Sequence, residues 1–377
     1  MRAFRESKGY RCRFDCVREI NTAFLDDLLS GLAYLCRMSA RTANPTPRLK
    51  MADIARMAGV SSSTVSRALA GNPLIPLPLR ERINELARSH GYVVNQQARG
   101  LRLQRTNTIN VVIPLGHDTG QLISDPFFLE MVGRLADEIT LRGYEVLLTK
   151  VMAPTPGWLD RIIQSNRSDG LLVIGQSNQH AALNLAAKSY GPLVVWGGDM
   201  SEKHYCTVGV DNITGARLAV EHLLKLGRRR IAFLGMPEAP EVALRRQGYI
   251  AALAAAGIAA EPELSAPAHF SAEAEFEGID HLLASGVAFD AVFAASDVIA
   301  LGAIRALGAA GLRTPEDVSV VGFDDVAVAR HSWPPLTTVR QDLGRGAREM
   351  VDLLFRRIDG EDTRSVVMQP ELVIRQT

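Results

Sequence analysis

The sequence predicts an α/β protein in which a small all-α headpiece precedes a core of two doubly wound parallel-sheet subdomains. A helix–turn–helix pattern in residues 49–70 and a regular alternation of short β-branched runs with helical stretches after residue 107 support this class. The 377 residues, of which 47% are hydrophobic, can fill several cores, and no apolar run reaches the roughly 20 residues that span a bilayer. We therefore expect a cytoplasmic protein that has no membrane partner.

The headpiece, predicted for residues 48–94, begins with two short helices around a tight turn. The apolar residues of the first helix recur at the spacing of one helical face: Met51, Ile54, Ala55 and Ala58. Gly59 suits the left-handed conformation that ends many helices, and the Ser61 hydroxyl can cap the next helix. A third helix is predicted from about Leu79 to His90.

The second helix directs small hydroxyl groups and one arginine outward, namely Ser62, Ser63, Ser66 and Arg67. The major groove of DNA admits one helix, and an arginine side chain can bond guanine O6 and N7 together. A helical hairpin with an ordinary solvated face would show the same pattern. The pattern therefore needs support from the surrounding sequence.

The distribution of charge provides that support. Residues 48–105 contain ten Lys/Arg against three Asp/Glu, whereas residues 106–377 contain 24 against 33. A compact basic module joined to an acidic body is typical of proteins that bind nucleic acid.

Two segments flank the headpiece. Residues 1–47 form an N-terminal extension that is either an accessory segment or an artefact of the assigned start, with Met38 as the alternative start. Residues 95–107 are basic with a weak helical pattern, and they are either a hinge or a solvated linker.

The core is predicted for residues 108–377. Strands are expected at 108–115, 144–151, 170–175, 192–197, 206–211, 230–235, 290–295 and 318–325, and the better-defined helices at 127–142, 212–226, 242–256, 272–285 and 298–310. Strands that alternate with helices of this length form parallel sheets. Ligands of such sheets bind beyond the carboxyl ends of the strands.

Aromatic, acidic and amide residues follow several predicted strands, at 125–128, 176–178, 196–199, 296–297 and 324–325. This composition suits a sugar ligand, because aromatic rings stack on the sugar ring and polar groups bond to its hydroxyls. Each aromatic residue is also a candidate for core packing, and Asp297 could cap the helix that follows it. The sequence shows no common nucleotide-binding or hydrolase motif, and its cysteines (Cys12, Cys16, Cys36 and Cys206) match no zinc spacing. We therefore expect no catalytic site, metal or cofactor.

Three segments resemble the lactose-repressor/galactose-repressor (LacI/GalR) family of bacterial transcription regulators. They are DIARMAGVSSSTVSRAL, HGYVVNQQARGLR and ASDVIALGAIRALGAAGLRTPEDVSVVGFDD, the last followed by PPLTTVRQD. The resemblance runs from Leu49 to the C-terminus. It implies a helix–turn–helix headpiece, a hinge helix and a periplasmic-binding-protein-like core with an N-subdomain of about 108–209 plus 324–339 and a C-subdomain of about 210–323 plus 340–377.

The resemblance also implies homodimers that bind near-palindromic operator DNA. It places Ser62, Ser63 and Arg67 at base-reading positions, and Leu101, with Ala98 as its small neighbour, at a minor-groove wedge. The full predicted set of DNA contacts is Lys50, Ser61, Ser62, Ser63, Thr64, Ser66, Arg67, Asn95, Ala98, Leu101 and Arg102. Adjacent serines stand where larger amide or aromatic side chains can occur in the family, so the operator sequence stays open.

For the effector, the resemblance implies polar anchors at Arg245 and Asp297 and ring contacts at Phe127, Phe128 and Phe270. Gln176 and Trp196, at predicted strand ends, complete the expected site. The expected function is a repressor of sugar-utilisation genes that a small sugar releases from DNA. The alternatives are a purine-responsive repressor, a solute-binding protein of a transport system and, less compatible with the missing motifs, a nucleotide-dependent enzyme.

Overall fold

The computed structural model describes residues 49–92, 105–116, 120–152, 154–200, 202–269 and 276–377. The chain divides into two compact units, Met1–Asn95 and Gln96–Thr377. The predicted extension (1–47) and residues 95–104 of the predicted hinge lie outside the described residues. Among the residues that are described, no helix is long and apolar enough to cross a membrane.

The first unit contains the predicted helix–turn–helix. Helices α1 (Met51–Ala58) and α2 (Ser62–Leu69) are separated by Gly59, which has a left-handed φ of 69°, and α3 (Leu77–Ser89) follows. One buried cluster joins the three helices: Ile54, Ala55, Ala58, Val65, Ala68 and Ile83. The positions predicted to face inward therefore form the core of this unit.

The second unit begins with alternating strands and helices. In chain order they are β1 (Thr108–Leu115), α4 (Pro126–Leu141), β2 (Glu145–Met152), α5 (Trp158–Gln164), β3 (Gly170–Ile174), α6 (His180–Ala187), β4 (Leu193–Trp196) and β5 (Cys206–Val210). The strands predicted for this region are confirmed to within one or two residues. β1 and β3 are almost wholly buried, as expected for strands covered on both faces.

The next elements are α7 (Asn212–Lys225), β6 (Ile231–Leu234), α8 (Pro240–Ala255), a short 3₁₀ helix (Pro262–Leu264), β7 (Ser265–Ala266), α9 (Glu277–Ser285), β8 (Ala291–Ala294), α10 (Asp297–Ala309), β9 (Ser319–Asp324), α11 (Ala327–His331) and β10 (Thr337–Arg340). The chain then forms α12 (Leu343–Ile358), β11 (Val366–Met368) and β12 (Glu371–Val373).

The described strands of this unit form two six-stranded sheets. The first has the order β11-β5-β4-β3-β1-β2 and defines lobe 1, and the second has the order β12-β10-β9-β8-β6-β7 and defines lobe 2. All neighbouring pairs are parallel except β10 and β12. The expected pair of doubly wound parallel sheets is confirmed.

Within the described residues, the chain passes between the two sheets three times: from β5 to α7, from β10 to α12, and from β11 to β12. The expected subdomain boundaries are wrong after residue 324. β10 pairs with β9 in lobe 2, whereas the apolar face of α12 packs into the core of lobe 1. Segment 324–339 therefore belongs to lobe 2, and most of segment 340–369 belongs to lobe 1.

Candidate functional sites

The exposed face of α2 carries the predicted base-reading residues. Ser62, Ser63 and Arg67 are exposed, and Ser66 is half-buried. The Ser61 hydroxyl accepts a 3.2 Å hydrogen bond from the Thr64 amide and therefore caps α2. Arg67 forms no ion pair within the described residues, so its guanidinium projects from the unit as a free set of donors.

Three hydroxyl groups at the start of α2 bond to one another. The Ser61 oxygen lies 2.8 Å from the Ser63 hydroxyl and 2.9 Å from the Thr64 hydroxyl. Ser61 and Thr64 thus order the helix start, while Ser62 and Arg67 are exposed to solvent. Lys50 is exposed at the start of α1, where its amide donates to Asp53 at 2.9 Å. The other predicted contacts, Asn95, Ala98, Leu101 and Arg102, lie outside the described residues.

A cleft lies between the two lobes at the carboxyl ends of their strands. It holds about 680 Å³ of empty space, including its open mouth. Side chains from both lobes and from the second crossover line it: Gln121, Asp125, Phe127, Phe128, Ser177, Trp196, Glu241, Val242, Arg245, Ser296, Val298, Asp324 and Gln341. The lining combines aromatic rings with acidic, amide and hydroxyl side chains, as ligand clefts commonly do.

Three of the predicted aromatic residues meet on the lobe 1 wall. The Phe127 ring lies 5.6 Å from that of Phe128 and 6.5 Å from that of Trp196, between centroids. Trp196 packs against α12, where a Cβ on Gly346 would lie 2.2 Å from its ring. Phe127 is half-buried and the other two rings are buried, so Phe127 offers the most surface to a ligand. Phe270 lies outside the described residues.

Of the described residues that line the cleft, Arg245 is the cationic one. Its Nε donates to Asn212 Oδ1 at 2.8 Å, and its guanidinium lies 3.8 Å from the centroid of the Phe323 ring. Nη1 donates to the Ala295 carbonyl and lies 3.7 Å from Asp324 Oδ1. Burial lowers the pKa of Arg245, and the nearby carboxylates oppose that shift. Arg245 is thus fixed by lobe 2 and the start of α7.

Asp297 does not line the cleft. Its carboxylate is fully buried, where it accepts a 2.9 Å hydrogen bond from the Val326 amide and a 2.5 Å bond from the Thr338 hydroxyl. Ser296, rather than Asp297, caps α10 through its hydroxyl. The sequence correctly places Asp297 at a strand end. It does not reveal that the carboxylate points into the interior of lobe 2, toward Val326 and Thr338.

Gln176 is also turned away from the cleft. Its side chain is fully buried, and it donates to the Gly198 carbonyl at 3.0 Å and to the Tyr205 hydroxyl at 2.9 Å. Its Oε1 accepts from the Gly198 amide at 3.1 Å. These contacts use both amide hydrogens and one lone pair of Oε1, so Gln176 orders the ends of β3 and β4.

Asp324, unlike Asp297, lines the cleft, and Gln341 Nε2 donates to it at 2.6 Å. Burial raises the pKa of Asp324 to about 7, while Arg245 and Gln341 favour its ionised form. Burial and the charge of Asp324 raise the pKa of Asp297 well above its usual range. Both carboxyl groups therefore retain a proton to higher pH than an exposed aspartate does.

Asp324 and Asp325 have left-handed φ values of 127° and 58°. Consecutive non-glycine residues in this region indicate local backbone strain, which often accompanies ligand sites. The Asp325 carboxylate anchors the turn, because it accepts from Arg340 at 2.7 Å and also from Arg375. This anchoring orients Asp324 toward the cleft.

The expected set of effector contacts did not include several polar residues of the cleft. Asp125 caps α4 through the Phe127 amide at 2.9 Å and accepts from Gln121 Nε2 at 3.1 Å. Glu241 stands in the first turn of α8, and Gln341 lies in the second crossover. Only Asp125 carried a local signal, as an acid directly before Pro126 and two aromatic residues.

The geometry agrees with two family models. Residues 50–95 match the model described as bacterial regulatory proteins, lacI family, and residues 220–377 match the periplasmic binding protein-like domain. The HTH-type transcriptional regulator CelR of Thermobifida fusca is 34% identical over 337 residues, which are 88% of this chain and 98% of CelR. The chain belongs to the lacI family of bacterial regulatory proteins.

Solved structures of regulators resemble this lacI-family chain over most of its length. A lac repressor dimer bound to operator and the anti-inducer ONPF matches with a TM-score of 0.78 and 26% identity, over 87% of this chain and 98% of that one. A complex of the transcriptional regulator CelR with cellobiose matches with a TM-score of 0.65 and 31% identity, over 87% and 99%. The headpiece match weighs against a transport solute-binding protein.

Proposed function

We propose that this lacI-family protein is a transcriptional repressor that binds near-palindromic operator DNA as a homodimer. The observation that carries the proposal is the presence, on one chain, of a helix–turn–helix with an exposed arginine and of a ligand cleft between two lobes. A lac repressor dimer has been solved on its operator, which supports the same assembly here. The repressor acts on DNA in the cytoplasm.

The proposed effector is a neutral sugar, and a glucose-containing disaccharide fits best. The half-buried Phe127 ring offers an apolar face to the C–H side of a pyranose, and Gln121, Ser177 and Gln341 supply neutral polar groups. Arg245 and Asp324 add charge-assisted hydrogen bonds to hydroxyls. The complex of the related CelR with cellobiose supports this class of ligand.

The charges of the cleft argue against an anionic effector. Among the described residues that line it, Asp125, Glu241 and Asp324 are acidic and Arg245 is the one cation. A sugar phosphate would bring negative charge beside these carboxylates while Arg245 is already engaged by Asn212 and Ala295. A purine could stack on Phe127 and bond to Arg245, so purines are the comparison ligands in the test.

The sugar is proposed to release the protein from its operator. A ligand shifts a conformational equilibrium only by its difference in affinity between the two states. We propose that the sugar favours a lobe arrangement that holds the two hinge segments of the dimer at a distance unsuited to the operator.

Calorimetric titration of cellobiose, maltose, sucrose and adenine tests the ligand. We expect a disaccharide to bind and Phe127→Ala to weaken it about tenfold, or about 1.4 kcal/mol. Leu185→Ala, which shortens an exposed side chain on α6, is the control and should leave the affinity unchanged. Tight binding of adenine without sugar binding would overturn the ligand class, and a sugar that strengthens operator binding would reverse the direction of control.

A further inference from the structure

The first turn of α8, which belongs to lobe 2, lies directly against lobe 1 at the edge of the cleft. Glu241 Oε1 accepts a hydrogen bond of 3.2 Å from the main-chain amide of Gln176, at the end of β3. Glu241 also lines the cleft and is half-buried. A side chain of lobe 2 therefore accepts a hydrogen bond from a main-chain donor of lobe 1.

A second contact lies beside the first. Gly198, which follows β4, is buried, and a Cβ built on it would lie 2.6 Å from Leu244 Cδ1. Leu244 is on α8, about one turn after Glu241. The apolar half of this contact therefore leaves little room for a side chain at position 198 unless Leu244 moves.

The lobe 1 side of the contact is ordered independently of α8. The Gln176 side chain joins both polar atoms of the Gly198 backbone and the Tyr205 hydroxyl, which also lies 2.7 Å from His180 Nδ1. We name Gln176, Gly198 and Tyr205 the receiving block. The side-chain polar atoms of the block bond within lobe 1. The block therefore presents the main-chain amide of Gln176 and the Cα of Gly198 to α8.

We propose that docking of the first turn of α8 on the receiving block is the closure contact of the cleft, with Glu241 as its polar half and Leu244 as its apolar half. Arg245, the next residue along the helix, lines the cleft, so docking also sets the position of this cation relative to lobe 1. Glu241 is thus a positioning residue for effector binding. The role of Glu241 in effector binding rests on the proposed function, whereas the closure contact itself does not.

Hydrogen exchange at the main-chain amide of Gln176 tests the contact with Glu241, measured on the full-length protein without ligand. Glu241→Ala removes the acceptor and should raise the exchange rate about tenfold, whereas Glu241→Gln keeps an acceptor oxygen and should restore most of the protection. Glu238→Ala, at an exposed glutamate just before α8, is the matched control and should have no effect.

Gly198→Val tests lobe separation with Glu241 intact. A valine is used because rotation of the Leu244 side chain could accommodate a single methyl group. We expect faster exchange at Gln176 and at least a tenfold loss of cellobiose affinity. Gly191→Val is the control, because Gly191 is exposed and a Cβ there meets no described atom within 4 Å. Circular dichroism identifies any variant that fails to fold.

Unchanged Gln176 exchange in both Glu241→Ala and Gly198→Val would overturn the closure contact. Cellobiose affinity that falls equally in Glu241→Ala and Glu241→Gln would overturn the positioning role. A wild-type protein that binds no sugar but shows the expected exchange pattern would instead refute the proposed effector and leave the closure contact standing.

Discussion

Replacement of Asp324 by asparagine should remove a pH dependence from the stability of the core. Burial raises the pKa of Asp324 from 3.8 to about 7. The folded state therefore binds the proton more tightly than the unfolded chain, so the stabilisation is complete below about pH 4 and is lost as the pH rises through 7. About three pKa units correspond to at most about 4 kcal/mol, shared with Asp297. Asparagine keeps an acceptor for Gln341 but has no proton to lose.

Denaturant unfolding at pH 5, 6, 7 and 8 measures this difference. The three tryptophans of the chain, Trp158, Trp196 and Trp333, all belong to the second unit, so their fluorescence follows the core alone. Relative to Asp324→Asn, the wild type should lose about 1 kcal/mol of unfolding free energy per pH unit between pH 5 and 7, and little beyond. Parallel pH profiles for the two proteins would refute the raised pKa of Asp324.

Three further predictions concern DNA and ligand. Arg67→Ala should cost roughly 1–3 kcal/mol of operator affinity in a gel-shift titration and weaken the sequence preference at one base pair per half-site. Equal losses of affinity for operator and random duplex would contradict base reading by Arg67. Leu101→Ala should abolish most specific DNA binding while calorimetry shows unchanged sugar binding. Cellobiose 6-phosphate should bind at least about tenfold more weakly than cellobiose because of the cleft carboxylates; equal affinities would contradict the charge argument.

Local periodicity accounts for what the sequence predicted well. The inward residues of α1 and α2, the Gly59 turn and the Ser61 cap depend on neighbours within one or two turns of helix, and each is found where it was expected. β1 was predicted at its observed bounds because its apolar run is flanked by polar residues. Such signals require no knowledge of distant parts of the chain.

Sheet membership could not be obtained in this way. β10 and β11 are runs of only four and three residues, and either sheet could have accepted them by composition. What separates them is the packing of α12, whose apolar face meets residues more than 100 positions earlier in lobe 1. The expected boundary was wrong because this contact is non-local.

The direction of side chains at strand ends was equally inaccessible. Gln176 and Asp297 both follow parallel strands, yet one bonds to the β4 end and the other to Thr338 and Val326. A strand end predicts closeness to the cleft, but a one-residue change in the turn decides whether a side chain enters it. Asp324 enters because Asp325 takes the anchoring ion pairs.

The polar side chains of the cleft are also attached to the crossovers. Arg245 bonds Asn212, directly after the first crossover, and Asp324 bonds Gln341 within the second. The Asp211 amide donates to the Met368 carbonyl at 3.0 Å and so joins the first crossover to the third. A ligand that bonds to Arg245 or Asp324 therefore contacts side chains that are bonded directly to the crossover segments between the lobes. This arrangement connects ligand binding directly to the segments that set the relative position of the lobes, and the proposed closure contact at Glu241 joins the same two lobes through α8.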